Sequence, residues 1–252
     1  MKYLLELSYL GEKYCGFQVQ DNAETVQGAL CRAGRALFGV DCLVTGCSRT
    51  DSGVHAIQYF ATISHDGGAD IPPDKLPRAI NTFLPADISV HAAENVDDEF
   101  SVRRAVFGKE YMYLVHNAQT GDPFLAGRAY EYARVLDVDL MNAAAEKIKG
   151  RHDFACFMAA GSDISDTART INDIRVERDG ENVMIFVSAD GFLYNMVRII
   201  AGTLIEVSEG KITPDSIPNI INSKNRANAG RTAPACGLYL KRVFINKNYA
   251  TH

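Results

Sequence analysis

A loop of small and polar residues between two β-prone segments constrains the fold of this chain most. Residues 46–56 read GCSRTDSGVHA, residues 41–45 before them are apolar and β-prone, and residues 56–63 read as another strand. We therefore expect two strands whose connection carries Asp51, as in many sites that lie on loops of a rigid scaffold. The alternative is a β-turn in which Asp51 and Gly53 only shape the backbone.

The other predicted elements follow one another in a mixed order. Strands are predicted for residues 2–9, 87–96, 110–116, 172–178, 182–189 and 238–245, and helices for residues 25–38, 74–82, 138–150, 192–207 and 214–222. Thr25 is suited to cap the first helix. Because regular strand–helix repeats do not separate the long strands, the pattern predicts an α+β fold with a largely antiparallel sheet.

The length of the chain favours two domains. At 252 residues with 47% hydrophobic content it can bury one large core or, more in keeping with that length, two smaller ones. We place the boundary between residues 104 and 108. This gives an N-terminal α+β domain of residues 1–106 with the Asp51 loop, and a C-terminal α+β domain of residues 107–252.

Several functional classes are disfavoured by what the sequence lacks. The apolar runs are short and interrupted by charge, and the N-terminus has no secretion signal, so we expect a cytoplasmic protein without membrane contact. The six cysteines form no Cys-x-x-Cys pair, which predicts free, mostly buried thiols. Phosphate-binding glycine loops, His-Glu-x-x-His and Cys/His clusters are missing, which argues against a nucleotide cofactor or a catalytic metal. A reaction carried out by side chains alone is the simplest interpretation.

The charge balance argues against a generally basic, nucleic-acid-binding surface. The net charge is −5 and the pI is about 5.7, whereas nucleic-acid-binding proteins are usually basic. An RNA ligand would need cations concentrated on one surface. Singly, each basic cluster is typical of a solvated face. The clusters are Arg32 with Arg35; Arg103, Arg104 and Lys109; Lys147, Lys149 and Arg151; and Lys224, Arg226 and Arg231.

The loop and several further segments together resemble the tRNA pseudouridine synthase A family, from Tyr3 to about Ile245. The matching segments, in chain order, are 14–20 (YCGFQVQ), 25–28 (TVQG), 49–56 (RTDSGVHA), 109–113 (KEYMY), 150–154 (GRHDF), 192–198 (FLYNMVR) and 233–240 (APACGLYL). Two residues depart from the family pattern: Phe17 stands where Trp is more frequent, and Ser52 where Ala is usual. Neither removes a group that the chemistry needs, so we expect them to bear on substrate detail.

The resemblance implies a pseudouridine synthase fold, with two related α+β halves around a central cleft. It also implies isomerisation of uridine to pseudouridine at tRNA nucleotides 38, 39 and 40 in the anticodon stem-loop, without cofactor or metal. Members of the family act as homodimers in which one tRNA spans both subunits. A pseudouridine synthase acting on another RNA, or a catalytically silent RNA-binding protein of the same fold, are the alternatives.

Pseudouridine formation requires a nucleophile, a pocket for the freed base and an acceptor for the C5 proton. The resemblance makes Asp51 the nucleophile, and a carboxylate can attack either C6 of the uracil or C1′ of the ribose. Tyr111 and Tyr113 lie on one face of a predicted strand, where sheet packing is the generic expectation. By resemblance, Tyr111 stacks on the uracil and can accept the C5 proton. Tyr113 is expected to be structural.

Arg198 lies in a predicted helix that is apolar on nearly every side. A buried Arg is seldom unpaired, so it should face a carboxylate. Glu206 and Asp190 are two possible structural partners. The resemblance places Arg198 against the nucleophile, which favours Asp51.

Four further residues are candidates for substrate binding. Arg49, next to the nucleophile, could fill the space left by an extruded nucleotide or contact flanking phosphates. Arg169 matches a family Arg near the cleft, and Arg103 and Gln20 complete the set. His55 is expected to cap the loop rather than to exchange protons.

Overall fold

The strands and helices of this chain divide between two units. The computed structural model describes residues 1–161 and 164–247. Unit 1 comprises Met1–Phe107 and the residues from Leu240 onward, and unit 2 comprises Gly108–Tyr239. The strands are β1 (Lys2–Tyr9), β2 (Leu43–Gly46), β3 (His55–Ser64), β4 (Ile88–Asn95), β5 (Val106–His116), β6 (Tyr130–Glu131), β7 (Gly150–Asp153), β8 (Ala168–Asp179), β9 (Asn182–Ala189) and β10 (Leu238–Ile245). The α-helices are α1 (Val26–Phe38), α2 (Leu76–Asn81), α3 (Val102–Ala105), α4 (Val138–Glu146), α5 (Met196–Ser208) and α6 (Ile217–Ser223).

The sheet of unit 1 has the strand order β4-β1-β3-β10, and β2 also pairs with β3. β1 pairs antiparallel with both β3 and β4, and β2 pairs antiparallel with β3. α1 and α2 pack against this sheet, and the buried residues of α1 include Val26, Leu30 and Phe38. Burial of one helix stripe against alternate strand residues forms the core of the unit.

The sheet of unit 2 has the strand order β5-β9-β8-β7. Its neighbouring strands are antiparallel, and only the short β6 pairs parallel with β5 among the described strands. α4 packs on β8 and on α5. α5 is buried along most of its length, as expected for a helix that is apolar on nearly every side.

The two units repeat one order of elements. Apart from the short β6 and β7, the elements β1, α1, β2, β3 and α2 of unit 1 correspond in order to β5, α4, β8, β9 and α5 of unit 2. The next long strand after each series is β4 or β10, and most of β10 belongs to unit 1. In both series the first and second strands pair antiparallel with the third. The α+β class with a largely antiparallel mixed sheet is therefore confirmed.

The C-terminal strand corrects one predicted domain boundary. The sequence placed residues 107–252 in the second domain, whereas the described residues from Leu240 onward belong to unit 1. β10 is a neighbour of β3 in the sheet, and the Val243 N–H donates to Gln58 Oε1 at 3.1 Å. A strand that completes a sheet belongs to the unit of that sheet, however distant it is in sequence.

Most predicted elements lie at the expected positions, and the exceptions have local causes. Thr25 caps α1, since its side chain accepts from the Gly28 N–H. The helix predicted from residue 192 begins only at Met196, because Asn195 adopts the left-handed conformation at φ 59°. The helix predicted for residues 138–150 ends at Glu146, and Gly150, at φ 106°, begins β7 instead.

The six cysteines are thiols outside any disulfide of the described residues, but most are not buried. Cys47 and Cys156 are buried, Cys15 is exposed, and the other three are partly exposed. The expectation that most of the thiols are buried was therefore wrong, since only two of the six are. Burial raises the pKa of the Cys156 thiol to about 12, which keeps it protonated. Among the described residues, no helix combines the length and the apolarity needed to cross a membrane.

His65 is a buried titratable group in the core of unit 1. Its ring stacks on Phe38 with centroids 4.2 Å apart, and on Tyr3 at 6.2 Å. Neither ring nitrogen has a hydrogen-bond partner among the described residues. Burial lowers the pKa of His65 below its usual range, and the N-terminal ammonium adds to this shift.

We expect His65 to make the folded protein less stable in mild acid. The pKa of His65 is lower in the folded protein than in the unfolded chain. The stability that the neutral, buried ring contributes is therefore complete above about pH 6.5, and it is lost as the pH falls toward the pKa of the folded state. When the pH is lowered from 7.5 to 5.5, the melting temperature of His65→Phe should therefore fall less than that of the wild type. His91→Gln is the control, because His91 is exposed and should leave the wild-type slope unchanged. Equal slopes for wild type and His65→Phe would contradict the prediction.

Candidate active site

The β2–β3 loop of unit 1 holds Asp51 half-buried, and backbone hydrogen bonds fix the residues around it. The Asp51 carbonyl accepts from the Val54 N–H at 3.1 Å. The Thr50 carbonyl accepts from the Phe17 N–H at 3.3 Å, and the Gly53 N–H donates to the Tyr14 carbonyl at 3.2 Å. Backbone groups on both sides of Asp51 are thus bound to residues 14–17. This explains why the motif at residues 14–20 accompanies the Asp51 loop.

Two glycines allow the chain to approach the loop this closely. A Cβ on Gly16 would lie 2.3 Å from the Thr50 carbonyl oxygen, and Gly16 also has a positive φ of 82°. A Cβ on Gly11 would lie 2.0 Å from the Val54 carbonyl oxygen. Only glycine fits at either position. Sequence reasoning missed Gly11, since an isolated glycine at a strand end carries no signal for a distant contact.

A cluster of aromatic side chains packs together and contacts the Asp51 loop. Phe17 is buried and stacks on Tyr59 with ring centroids 4.4 Å apart, and Tyr9 contacts Tyr59 edge-on at 5.6 Å. The Tyr59 hydroxyl donates to the Ser48 carbonyl, and the hydroxyl of Tyr9 lies 2.8 Å from that of Thr50. Phe17, one of the two departures from the family pattern, is therefore part of the support of the loop.

His55 has a structural role in this loop. It is fully buried, and its Nδ1 accepts a hydrogen bond from the Gly11 N–H at 3.0 Å. Nδ1 must be unprotonated to accept this bond. The bond ties the start of β3 to the residues after β1, which agrees with the expected structural role.

Two exposed arginines lie at the same loop. Arg49 donates from Nε to Gln18 Oε1 at 3.0 Å, and Arg103 donates from Nε to the Gly46 carbonyl at 3.3 Å. Arg49 and Asp51 thus share the loop, and Arg103 of α3 binds Gly46, the residue just before it. The side-chain amide of Gln20 donates to the Cys15 carbonyl at 2.7 Å, so this hydrogen bond is not to the Asp51 loop.

In unit 2, Tyr111 lies on β5 opposite Val187 of β9. It is only 7% exposed, and Phe192 meets its ring edge-on with centroids 5.0 Å apart. Tyr113 is fully buried, and its hydroxyl donates to the Pro234 carbonyl at 2.8 Å. Burial raises the pKa of Tyr113 far above its usual range. Of the two tyrosines on this face, Tyr113 has the structural environment that was expected.

Arg198 lies in the first turn of α5 and is half-buried. Its Nε donates to the Ala233 carbonyl at 2.8 Å, and its Nη1 donates to Asn195 Oδ1 at 2.7 Å. The two carboxylates of unit 2 that were alternative partners are engaged by other groups. Glu206 accepts from Arg231, and Asp190 accepts from the Thr170 N–H at 3.0 Å.

Arg169 lies at the start of β8 beside the segment that follows β9. Its Nη1 donates to the Asp166 and Ala168 carbonyls at 3.0 and 2.6 Å. A Cβ added to Gly191 would lie 3.3 Å from its Nε, so the side chain passes close to that glycine. Arg169 borders an open polar groove of about 330 Å³ lined by Arg151, Asp166, Ala168, Arg169, Thr170, Asp190 and Gly191.

Several cations that the sequence offered as RNA ligands are paired within the protein. Arg231 bridges Glu206 and Glu209, and its Nη2 lies 2.8 Å from Glu209 Oε1. Arg231 holds the pKa of Glu209 down at about 2 against the opposing effect of burial. Arg32 pairs with Glu24, and Arg35 lies 3.4 Å from Asp41. Arg231 is therefore a structural cation, which its sequence neighbourhood did not indicate.

Comparison with known proteins assigns the chain to a family. A family model described as tRNA pseudouridine synthase matches residues 7–103 and 144–244. The chain belongs to this family. Asp51 and Arg198 lie within the matched ranges, and Tyr111 lies between them.

Curated relatives extend the match over nearly the whole chain. The tRNA pseudouridine synthase A of Acetivibrio thermocellus is 45% identical over 240 residues, covering 95% of this chain and 98% of the relative. The protein of that name from Ruminiclostridium cellulolyticum is 44% identical over 244 residues, covering 96% and 99%. That from Bacillus licheniformis is 41% identical over 248 residues, covering 98% and 100%.

Proposed function

We propose that this protein is a tRNA pseudouridine synthase that isomerises uridine to pseudouridine at nucleotides 38, 39 and 40 of the anticodon stem-loop. Membership of the family supports the reaction type, as do relatives of matching length. The observation that carries the proposal is the Asp51 loop, in which Asp51 is half-buried and the backbone is held by the segment at residues 14–17. A preorganised carboxylate of this kind suits covalent catalysis.

The reaction moves one bond and one proton. The C1′–N1 bond breaks, a C1′–C5 bond forms, C5 loses its proton, and N1 gains one, so no oxidant or cofactor enters the balance. We assign Asp51 as the nucleophile, which attacks either C6 or C1′. Tyr111 is the stacking surface for the uracil and the acceptor of the C5 proton, and its edge contact with Phe192 fixes the ring.

Arg198 is the proposed partner of Asp51. A carboxylate in a closed site stays ionised when a cation faces it. Glu206 and Asp190 bind other groups, so the two structural alternatives have lost support. The bonds of Arg198 to Ala233 and Asn195 fix the plane of its guanidinium.

Arg49, Arg103, Arg169 and Gln20 are the proposed RNA contacts. Arg49 lies in the Asp51 loop, and Arg103 of α3 binds Gly46, which directly precedes that loop. Both side chains are exposed, so they supply local positive charge despite the net charge of −5. Phosphate contacts of this kind would dominate tRNA affinity and make it salt-dependent. The family resemblance also supports a homodimer that acts on tRNA in the cytoplasm.

Release of tritium from tRNA labelled at uracil C5 tests this function directly. We expect release from an anticodon stem-loop with uridine at nucleotides 38 to 40, and none when cytidine replaces those uridines. Release only from another RNA would indicate a different substrate. Binding of tRNA without any release would indicate a silent RNA-binding protein.

Tyr111→Phe should lower turnover without weakening RNA binding. The substitution keeps the stacking face and the contact with Phe192 and removes only the hydroxyl. Single-turnover rates should fall at least about 100-fold, while tRNA affinity stays within about 3-fold. A wild-type rate would rule out proton transfer by this hydroxyl.

A further inference from the structure

The segment of residues 190–195, between β9 and α5, contacts all three proposed site residues of unit 2. The Gly191 position lies against Arg169, Phe192 packs edge-on against Tyr111, and Asn195 binds Arg198. Of these contacts, the one from Asn195 is a directed hydrogen bond to a charged group. Asn195 is also one of the three described non-glycine residues with a positive φ.

Asn195 occupies the N-cap position of α5 but does not cap the helix. Asn is among the best N-cap residues, because its side-chain oxygen usually accepts from a backbone N–H in the first turn. Here the side chain makes no such cap bond. Its Oδ1 instead accepts from Arg198 Nη1 at 2.7 Å. The capping capacity of the side chain is thus used to hold a guanidinium three residues further along the chain.

The backbone at Asn195 is in a conformation that most residues avoid. Its φ of 59° and ψ of 11° lie in the left-handed region, which Asn tolerates better than other residues with a side chain. Glycine would adopt this conformation without strain but would offer no acceptor. Asn therefore combines the required backbone with a side-chain oxygen for Arg198.

A second bond completes the orientation of Arg198. Its Nε donates to the carbonyl of Ala233, and the Ala233 N–H donates back to the Arg198 carbonyl at 3.0 Å. Ala233 is fully buried, so this anchor is rigid. Two acceptors thus fix the guanidinium plane, and because both are neutral, neither of them offsets its positive charge. That charge can then act on a carboxylate or on an anionic group of the substrate.

We propose that Asn195 is a positioning residue for the isomerisation, which acts by orienting the guanidinium of Arg198. This inference rests on the proposed function for its catalytic consequence. Its structural part, the restriction of Arg198, does not depend on that function. A positioning role predicts an effect on kcat, because a misplacement of about 1 Å in a catalytic group can cost on the order of 100-fold in rate.

The test compares Asn195→Gly with Asn22→Gly. Both positions have nearly the same φ, 59° and 58°, so glycine relieves the same backbone strain at each. Asn195→Gly should lower kcat at least about 10-fold, with KM within about 3-fold and an unchanged melting temperature. Asn22→Gly should leave kcat unchanged. A wild-type kcat for Asn195→Gly would overturn the proposal.

A double-mutant cycle separates positioning from a general structural role. If Asn195 acts through the guanidinium, adding Asn195→Gly to Arg198→Lys should cause no further loss of kcat. If Asn195→Gly lowers kcat by the same factor in the wild type and in Arg198→Lys, Asn195 acts independently of Arg198. That result would also overturn the proposal.

An NMR measurement distinguishes failure of this inference from failure of the proposed function. Rotation about the Arg198 Nε–Cζ bond, measured on ¹⁵N-labelled protein without RNA, should be slow in wild type and faster in Asn195→Gly. Unchanged rotation would refute the positioning role whatever the enzyme does. A wild-type protein that releases no tritium from tRNA, yet shows the expected change in rotation, would refute only the proposed function.

Discussion

Asp51→Asn is expected to abolish turnover while leaving tRNA affinity within a few-fold of wild type. The amide is nearly isosteric with the carboxylate but is not a nucleophile, so single-turnover rates should fall at least about 1000-fold. Affinity should persist because phosphate contacts dominate binding. The loop should also persist, since the hydrogen bonds that fix it come from the backbone of Thr50, Asp51 and Gly53.

Ser52→Ala is the matched control in the same loop. Ser52 is exposed, and its hydroxyl makes a long contact of 3.4 Å to the Tyr14 carbonyl. Its removal should leave turnover unchanged. Residual turnover of Asp51→Asn above about one part in a thousand of wild type would count against a covalent role for Asp51. A tRNA containing 5-fluorouridine should form a stable adduct or a hydrated product with wild type only.

Arg198→Ala is expected to cost both turnover and stability. Its removal leaves the carbonyl of buried Ala233 without its charged donor and, in the proposed site, leaves Asp51 without a cation. Leaving a carboxylate uncompensated should lower the free energy of unfolding by about 3 kcal/mol and turnover by at least about 100-fold. Denaturant melts and single-turnover rates measure the two effects separately.

Arg178→Ala provides a control with the same bonding pattern. Arg178 donates to a backbone carbonyl, that of Leu136, and to an Asn side chain, Oδ1 of Asn117, both at 2.9 Å. It should lose some stability but no turnover. Wild-type stability and activity of Arg198→Ala would show that Asp51 is not paired with Arg198. A loss of stability without a loss of turnover would reduce Arg198 to a structural role.

Local patterns predicted the elements of this fold better than its long-range contacts. β1, α1 with its Thr25 cap, and β10 lie where the sequence placed them, because each carries its own periodicity or cap. The start of α5 was misplaced because Asn195 adopts the left-handed conformation, and its side chain binds Arg198 instead of capping the helix. The pairing of β10 with β3 could not be predicted, because the local composition of a strand does not indicate which strand lies next to it.

At the candidate site, too, the sequence predicted the local features but not the contacts between distant segments. The motif identified Asp51 and its loop, and the resemblance supplied Tyr111 and Arg198. The support beneath the loop could not be derived, because the contacts of Gly11, Phe17 and Tyr59 join separate parts of the chain. The charge of Arg231 gave no indication that Glu206 and Glu209 bind it.

The return of the last strand has a consequence for synthesis on the ribosome. All residues of unit 2, from Gly108 to Tyr239, are added to the growing chain before most of β10 is made. The edge of β3 that receives β10 therefore waits on the order of ten seconds for its neighbour, at about 5–20 residues per second. During that interval the edge can pair with other chains. The unit that starts first is thus the one that finishes last, and it depends longest on protection during translation.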